Sequence, residues 1–400
     1  MNFKTLILAS ATSLLLAGTA MAETSVKIGV LNDRSGIYAD LSGQGSVIAA
    51  RMAVEDFDAA GKGITVEIVS ADHQNKPDVA STIARQWYDQ DGVDLIVDVP
   101  TSSAAFAVSD ITKEKGKVFM NSGAGSADLT GSKCSPNTIH WTYDTWALAH
   151  GTGNAVVQTG GKSWFFITAD YAFGQALETD TSAVVTAAGG EVLGSVKHPF
   201  PGTDFSSFLL QAQSSGAQVI GLANAGGDTV NTIKQASEFG ITQAGQSLAG
   251  LLIFITDIHA LGLETAQGLV LTEAFYWDLN DETRAWSERF AAENGGNKPT
   301  MVHAGVYASV LHYLKAVEAT DGKETEALLA SMKSTPTSDP LFGEGSVRED
   351  GRVIHDMYLF KVKAPADSTG PWDYYETMAT IPAADAFRPV AEGGCAFLAD

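Results

Sequence analysis

Residues 93–130 read VDLIVDVPTSSAAFAVSDITKEKGKVFMNSGAGSADLT. The apolar run Val93–Val99, bounded by turn residues, predicts a buried strand that Pro100 ends. Thr101, Ser102 and Ser103 suit the start of a helix, and Phe106, Val108 and Ile111 share one face of the turns that follow. A second short strand, Lys117–Met120, runs into the polar turn Asn121–Ser126. The pattern is a βαβ unit whose strands both end in Ser, Gly and Asn. In an open parallel sheet, ligands bind just beyond the carboxyl ends of the strands. Hydroxyls and free N–H groups at a helix start suit an anionic oxygen such as a carboxylate. Either turn taken alone also reads as an ordinary cap.

The same alternation extends outward on both sides. Val26–Leu31 predicts a strand, the loop Asn32–Gly45 (NDRSGIYADLSGQG) follows, and then a helix passes through Val47, Ala50, Met52 and Phe57. Ile64–Ser70 is the next strand, and Pro77 opens a helix through Val79, Ile83 and Trp87. Thr138–Trp141 completes a first lobe. A similar series begins after Thr142-Tyr143-Asp144. Its strands are Ser163–Ala169, Val192–Val196, Gln218–Asn224, Ser247–Ile255 and Gly268–Thr272, with helices between them. Beyond Asp278 the chain reads as helical to Met332, and Gly345–Lys363 as β-rich. Alternating strands and helices imply parallel sheets covered on both faces. The expected fold is α/β: two Rossmann-like lobes joined by crossings near residues 143, 277 and 352. The first lobe takes residues 23–143 plus 278–352, and the second 144–277 plus 353–400.

Residues 1–22 read as a signal peptide: Lys4, an apolar stretch from Leu6 to Ala17, and an A-x-A site at Ala20-Met21-Ala22. The apolar stretch is too short to span a bilayer, and no Cys follows the site, so no membrane anchor is expected. A formal net charge of −22 argues against nucleic acid or an anionic membrane as partner. Cys134 and Cys395 are the only cysteines. In an oxidising compartment such a pair forms one disulfide, with two free thiols as the alternative.

Catalytic patterns are thin. The glycines Gly36, Gly43 and Gly45 have the wrong spacing for a dinucleotide fingerprint, and no Walker or nucleophile-elbow sequence occurs. The eight histidines are scattered without metal-ligand spacing. No enzyme, cofactor or metal is expected.

The loops SGIYADLSGQG, PTSSAA, NSGAGSADLT and DYAFGQAL, in this order behind a signal peptide, resemble the type I periplasmic solute-binding proteins of the branched-chain amino acid family. The resemblance spans roughly residues 24–395. It implies a periplasmic monomer that closes two lobes on a small-molecule ligand and delivers it to ABC permease subunits in the inner membrane. It also implies that the ligand carboxylate is held by Ser102, Ser103 and the turn Gly123, Ala124, Gly125 and Ser126. Tyr38 and Tyr171 or Phe173 supply aromatic cover, Asn224 lies in the loop where relatives carry a Tyr, and Trp277 closes one side. Neither Ser103 nor Phe173 is expected to be core, and Arg34 is a lesser candidate for a cationic partner. Amino-acid binders carry an acid after a later second-lobe strand, whereas this chain has Gly250-Leu251-Leu252-Ile253. An unpaired ammonium in a closed cleft is costly, so the resemblance points to a carboxylate without an α-amino group, first of all an aromatic acid. Branched-chain amino acids, short amides and a ligand-presenting sensor role are the alternatives.

Overall fold

A computed structural model describes residues 24–398, so the expected signal peptide lies outside the described residues. Five parallel strands form the first sheet: β1 (Thr24–Asn32), β2 (Ile64–Asp72), β3 (Leu95–Asp98), β4 (Val118–Asn121) and β5 (Thr138–His140), in the order β2-β1-β3-β4-β5. The apolar runs of β3, β4, β5 and most of β1 are buried on both faces, as central parallel strands require, whereas the edge strand β2 is half-exposed. Helices α1 (Gly43–Asp56), α2 (Pro77–Gln86) and α3 (Ser102–Lys115) make the first crossovers. Ala80, Ala84, Ala104, Ala105, Val108 and Ile111 bury α2 and α3 on one face of the sheet. On the other face α1 packs with the long helix Met301–Thr320.

The second sheet repeats that order. Its strands are β6 (Ser163–Ala169), β7 (Glu191–His198), β8 (Val219–Ala223) and β9 (Ser247–Gly250), arranged β7-β6-β8-β9 and all parallel. Strand β10 (Val270–Glu273) belongs to a third, antiparallel sheet. The hairpin strands β11 (Thr337–Asp339), β12 (Gly343–Val347) and β13 (Val353–Ile354) pair with one another. Strands β14 (Met357–Val362) and β15 (Tyr375–Ile381) complete the third sheet in the order β10-β14-β15. The parallel α/β architecture expected from the sequence is therefore present twice.

Three expectations differ from the structure. The run Ser247–Ile255 is a strand only to Gly250, and Ile255 instead opens a helix, Ile255–Leu261. A Cβ on Gly250 would lie 2.1 Å from the Ile253 side chain, which shows how sharply the chain folds back there. Strand β15 lies beyond the expected β-rich tail. The last segment also leaves the second lobe. The Arg388 guanidinium donates to Ala127 O at 2.8 Å, and Cys395 is disulfide-bonded to Cys134 across 261 residues of chain.

Arg352 organises the crossings. It is fully buried, donates to Trp141 O at 2.7 Å and Tyr143 O at 3.2 Å, and lies 3.5 Å from the Asp144 carboxylate. Burial pulls its pKa down to about 10, yet leaves it charged at neutral pH. One side chain thus holds the crossing at 141–144 against the crossing at 352.

Candidate ligand-binding site

The carboxyl ends of the two parallel sheets face each other, and aromatic side chains from both meet between them. Tyr38 and Leu41 come from the β1–α1 loop, Pro100 from the end of β3, and Tyr143 from the first crossing. The second lobe supplies Tyr171 and Phe173 after β6, Ala225 after β8, and Leu252 and Phe254 after β9. Together they wall a cavity of about 10 Å3, on the scale of one water molecule. The lobes are closed on each other: the Tyr38 and Tyr171 hydroxyls lie 2.6 Å apart across the cleft. Burial pushes both phenols well above their ordinary pKa, so both are neutral. A larger groove of about 270 Å3 lies beside the cavity, between Asp40 and Gln44 on one side and His259 and Trp372 on the other. It lacks the loops that follow β3, β4, β6 and β8.

Several local features place the rings. The Tyr143 hydroxyl donates to Gly123 O at 2.6 Å. A Cβ on Gly125 would lie 2.7 Å from the Tyr143 ring and 2.9 Å from the Phe173 ring, so only glycine lets this backbone pass between them. The Phe254 N–H donates to the Asp257 carboxylate at 2.9 Å, which caps the helix Ile255–Leu261 and turns the Phe254 ring toward Tyr143, 6.0 Å away and edge-on.

Tyr38, Tyr171 and Phe173 thus lie together on the cavity wall. Phe173 is only 2% exposed and belongs to the main core, so it is a core residue as well, contrary to expectation. The oxyanion cradle is partly spent on the protein itself. The Ser102 hydroxyl accepts from Ser126 N–H at 3.2 Å, and Ala124 N–H donates to the Asn121 side chain at 3.1 Å. Gly123 N–H makes a long bond to Asp98 O at 3.4 Å. Gly125 N–H has no acceptor among the described residues. The first turn of α3 also lacks a side-chain cap, because Thr101 donates to Asn75 instead. Ser103 is half-buried at that helix start. These free N–H groups, at the helix start beside Pro100, are the remaining donors for an anion.

Asn224, Trp277 and the lesser candidate Arg34 lie away from the cavity, and the residues of the expected oxyanion cradle do not line it. The Asn224 amide is engaged by Thr229, Thr232 and His198, and so braces the turn between β8 and the helix Gly227–Glu238. The Trp277 indole donates to Trp372 O at 2.8 Å and sits under the Lys298 ammonium. Arg34 donates to Ser70 and Gln44 on the exposed face of its loop.

The sequence reading missed Tyr143, Leu252 and Phe254 as wall residues. It also missed Asp98, whose buried carboxylate ties the turns of the first lobe together. Asp98 accepts from the Asn32 amide at 3.0 Å and the Ser42 hydroxyl at 2.7 Å, and burial pushes its pKa up to about 6. Asp98 and Val99 both have positive φ, 82° and 56°, where the chain bends out of β3 toward the cleft. Such strain in a β-branched residue recurs at functional sites. Among the described residues no His, Cys, Asp or Glu cluster could hold a metal ion, and no helix is long and apolar enough to cross a membrane.

Comparison with known proteins agrees with this architecture. The family model described as "Periplasmic binding protein" matches residues 25–370. A crystal structure of a periplasmic binding protein from Burkholderia mallei is 52% identical, with a TM-score of 0.91 over 94% of this chain and 99% of that one. A branched chain amino acid ABC transporter periplasmic ligand-binding protein from Burkholderia xenovorans LB400 is 40% identical, with a TM-score of 0.82 over 93% and 99% of the two chains. The Leu/Ile/Val-binding protein homolog 6 of Brucella melitensis is 29% identical over 88% of this chain and 92% of its own length. The chain belongs to the periplasmic binding protein family, as a solute-binding protein of the ABC-transporter type.

Proposed function

We propose that this protein captures a small aromatic carboxylate between its two lobes and delivers it to ABC permease subunits in the inner membrane. The reading rests on one observation above the others. The interlobe cavity is walled by five aromatic rings, and none of the residues that wall it is an acid that could pair with a ligand ammonium. A planar ring entering between Tyr38, Tyr143, Tyr171, Phe173 and Phe254 gains offset and edge-on contacts. Its carboxylate would meet Ser103, Gly125 N–H and the uncapped first turn of α3. The family binds rather than transforms its solutes, and no reacting group is required of these residues.

The proposal includes the chain division expected above, apart from the C-terminal tail. It also includes export through residues 1–22 and action as a periplasmic monomer. A branched-chain amino acid is the second reading, favoured by the names of the relatives. In that reading the buried Asp228 is the candidate second-lobe carboxylate for the ligand ammonium; burial is the main cause that raises the pKa of both phenols, and the Asp228 charge adds to it. A thermal-shift screen of the purified protein against benzoates, branched-chain amino acids and short amides separates the readings, since a ligand of the folded state raises the melting temperature by mass action. A shift with benzoates alone supports the first reading. A shift with leucine alone rejects it.

A further inference from the structure

Outside the aromatic cavity the lobes also touch through Ile37, Phe200 and Gly227, none of which lines it. Gly227 N–H, at the start of the helix Gly227–Glu238, donates to Ile37 O of the opposite lobe at 3.2 Å. Phe200, from the loop after β7, stacks on Tyr171 of its own lobe, with ring centroids 4.1 Å apart and planes at 23°. It also meets the Tyr38 ring of the other lobe at 5.6 Å. Phe200 is firmly presented: the loop that carries it is tied to the helix behind by Gly202 N–H to the Asp228 carboxylate, 2.9 Å, and by Phe205 N–H to the Gln235 side chain, 2.7 Å. The approach at Gly227 is tight, because a Cβ there would lie 3.1 and 3.2 Å from Ile37 side-chain carbons, which would have to give by a few tenths of an ångström. The neighbouring Gly226 has φ +56°, and a Cβ on it would lie 2.7 Å from Ile37 O.

We propose that Phe200 and the Gly227–Ile37 contact form a clasp between the lobes, which favours the closed form whatever solute is inside and sets how fast that solute leaves. Every contact in the clasp is protein to protein. Its free energy therefore acts on the open–closed equilibrium of the empty protein as well as on the loaded one. Phe200 and Gly227 are positioning residues: they touch the aromatic wall or the facing loop from outside and hold the lobes together. This inference goes beyond the ligand assignment and does not depend on it.

The test needs no ligand. Spin labels are placed on exposed helix positions of the two lobes through Thr82→Cys and Thr186→Cys, and distances are measured by pulsed electron resonance on the full empty protein. The labelled parent should show a closed, short-distance population. Phe200→Ala and Gly227→Val should each lower that population at least about threefold, and Phe200→Tyr should restore it. Valine at 227 meets Ile37 only when the lobes are shut, so this variant should melt as the parent does; the melting curve separates a lost clasp from a damaged fold. Distance distributions unchanged in both variants, or a parent with no closed population, would overturn the proposal.

Discussion

The hydroxyl oxygens of Tyr38 and Tyr171 lie 2.6 Å apart, although the two residues come from opposite lobes and are separated by 133 positions in the chain. The contact measures closure directly, because it forms only when the lobes meet. Both phenols are neutral, so one donates and the other accepts without charge. Replacing Tyr171 with Phe keeps the ring on the wall and removes this bond. A neutral hydrogen bond contributes about 0.5–1.5 kcal/mol, so Tyr171→Phe should weaken solute binding by roughly two- to tenfold. Titration calorimetry on parent and variant checks this, and an equal affinity would show that the pair does not hold the closed form.

Leu252 is 2% exposed and faces the rings from the second lobe. Leu252→Glu places a carboxylate in that wall. Against an aromatic acid it should cost at least about tenfold in affinity, because a second buried anion has no counter-charge there. Tighter benzoate binding by the variant would show that the cavity does not receive the ligand's acid.

The strand ends around the candidate site were legible because they are punctuated locally. Pro100, the Ser102-Ser103 pair and the Asn121–Ser126 turn mark strand ends in any context, and the alternation of elements then places those ends on one side of a sheet. The wall after β9 was not legible. Leu251 to Ile255 is an apolar run, and buried apolar runs read alike in a strand, a reversal or a helix start. Here the run folds back at Gly250, and Phe254 starts a helix capped by Asp257. Tyr143 read only as a marker of the crossing, since nothing in the chain order reveals that its hydroxyl reaches Gly123 O. Asn224 sits in the right loop, but its amide braces that loop from behind.

The Cys134–Cys395 bond fastens the tail to the loop after β4, beside the Arg388 contact with Ala127 O. Closing a loop across 261 residues is worth about 5.5 kcal/mol in a chain-entropy treatment, and engineered cases often give less. Cys134→Ser with Cys395→Ser should lower the denaturation midpoint while leaving solute affinity within about twofold, since the bond lies away from the cavity. Alkylation of two thiols in the unreduced native protein, seen by intact mass, would contradict the bond itself.

Asp228 and Asp257 carry pKa values raised to about 7 by burial, above the ordinary 3.8. A raised folded-state pKa means that the folded protein holds protons the unfolded chain has released. Their contribution is therefore greatest at low pH and is lost as pH rises from about 4 through about 7. Each group adds a slope of up to about 1.4 kcal/mol per pH unit in that window. Asp228→Asn keeps an acceptor for Gly202 N–H and removes the titration. Urea denaturation from pH 4.5 to 7.5 should show a shallower fall in stability for the variant, and parallel curves would contradict the assignment.

A preference for aromatic acids is tested most directly by a pair of calorimetric titrations, benzoate and leucine, into the same ligand-free protein. Benzoate should bind with a dissociation constant of about 10 μM or tighter and with a negative heat-capacity change from burial between the rings, and leucine at least about a hundredfold more weakly. Tight leucine binding with no heat from benzoate would contradict it.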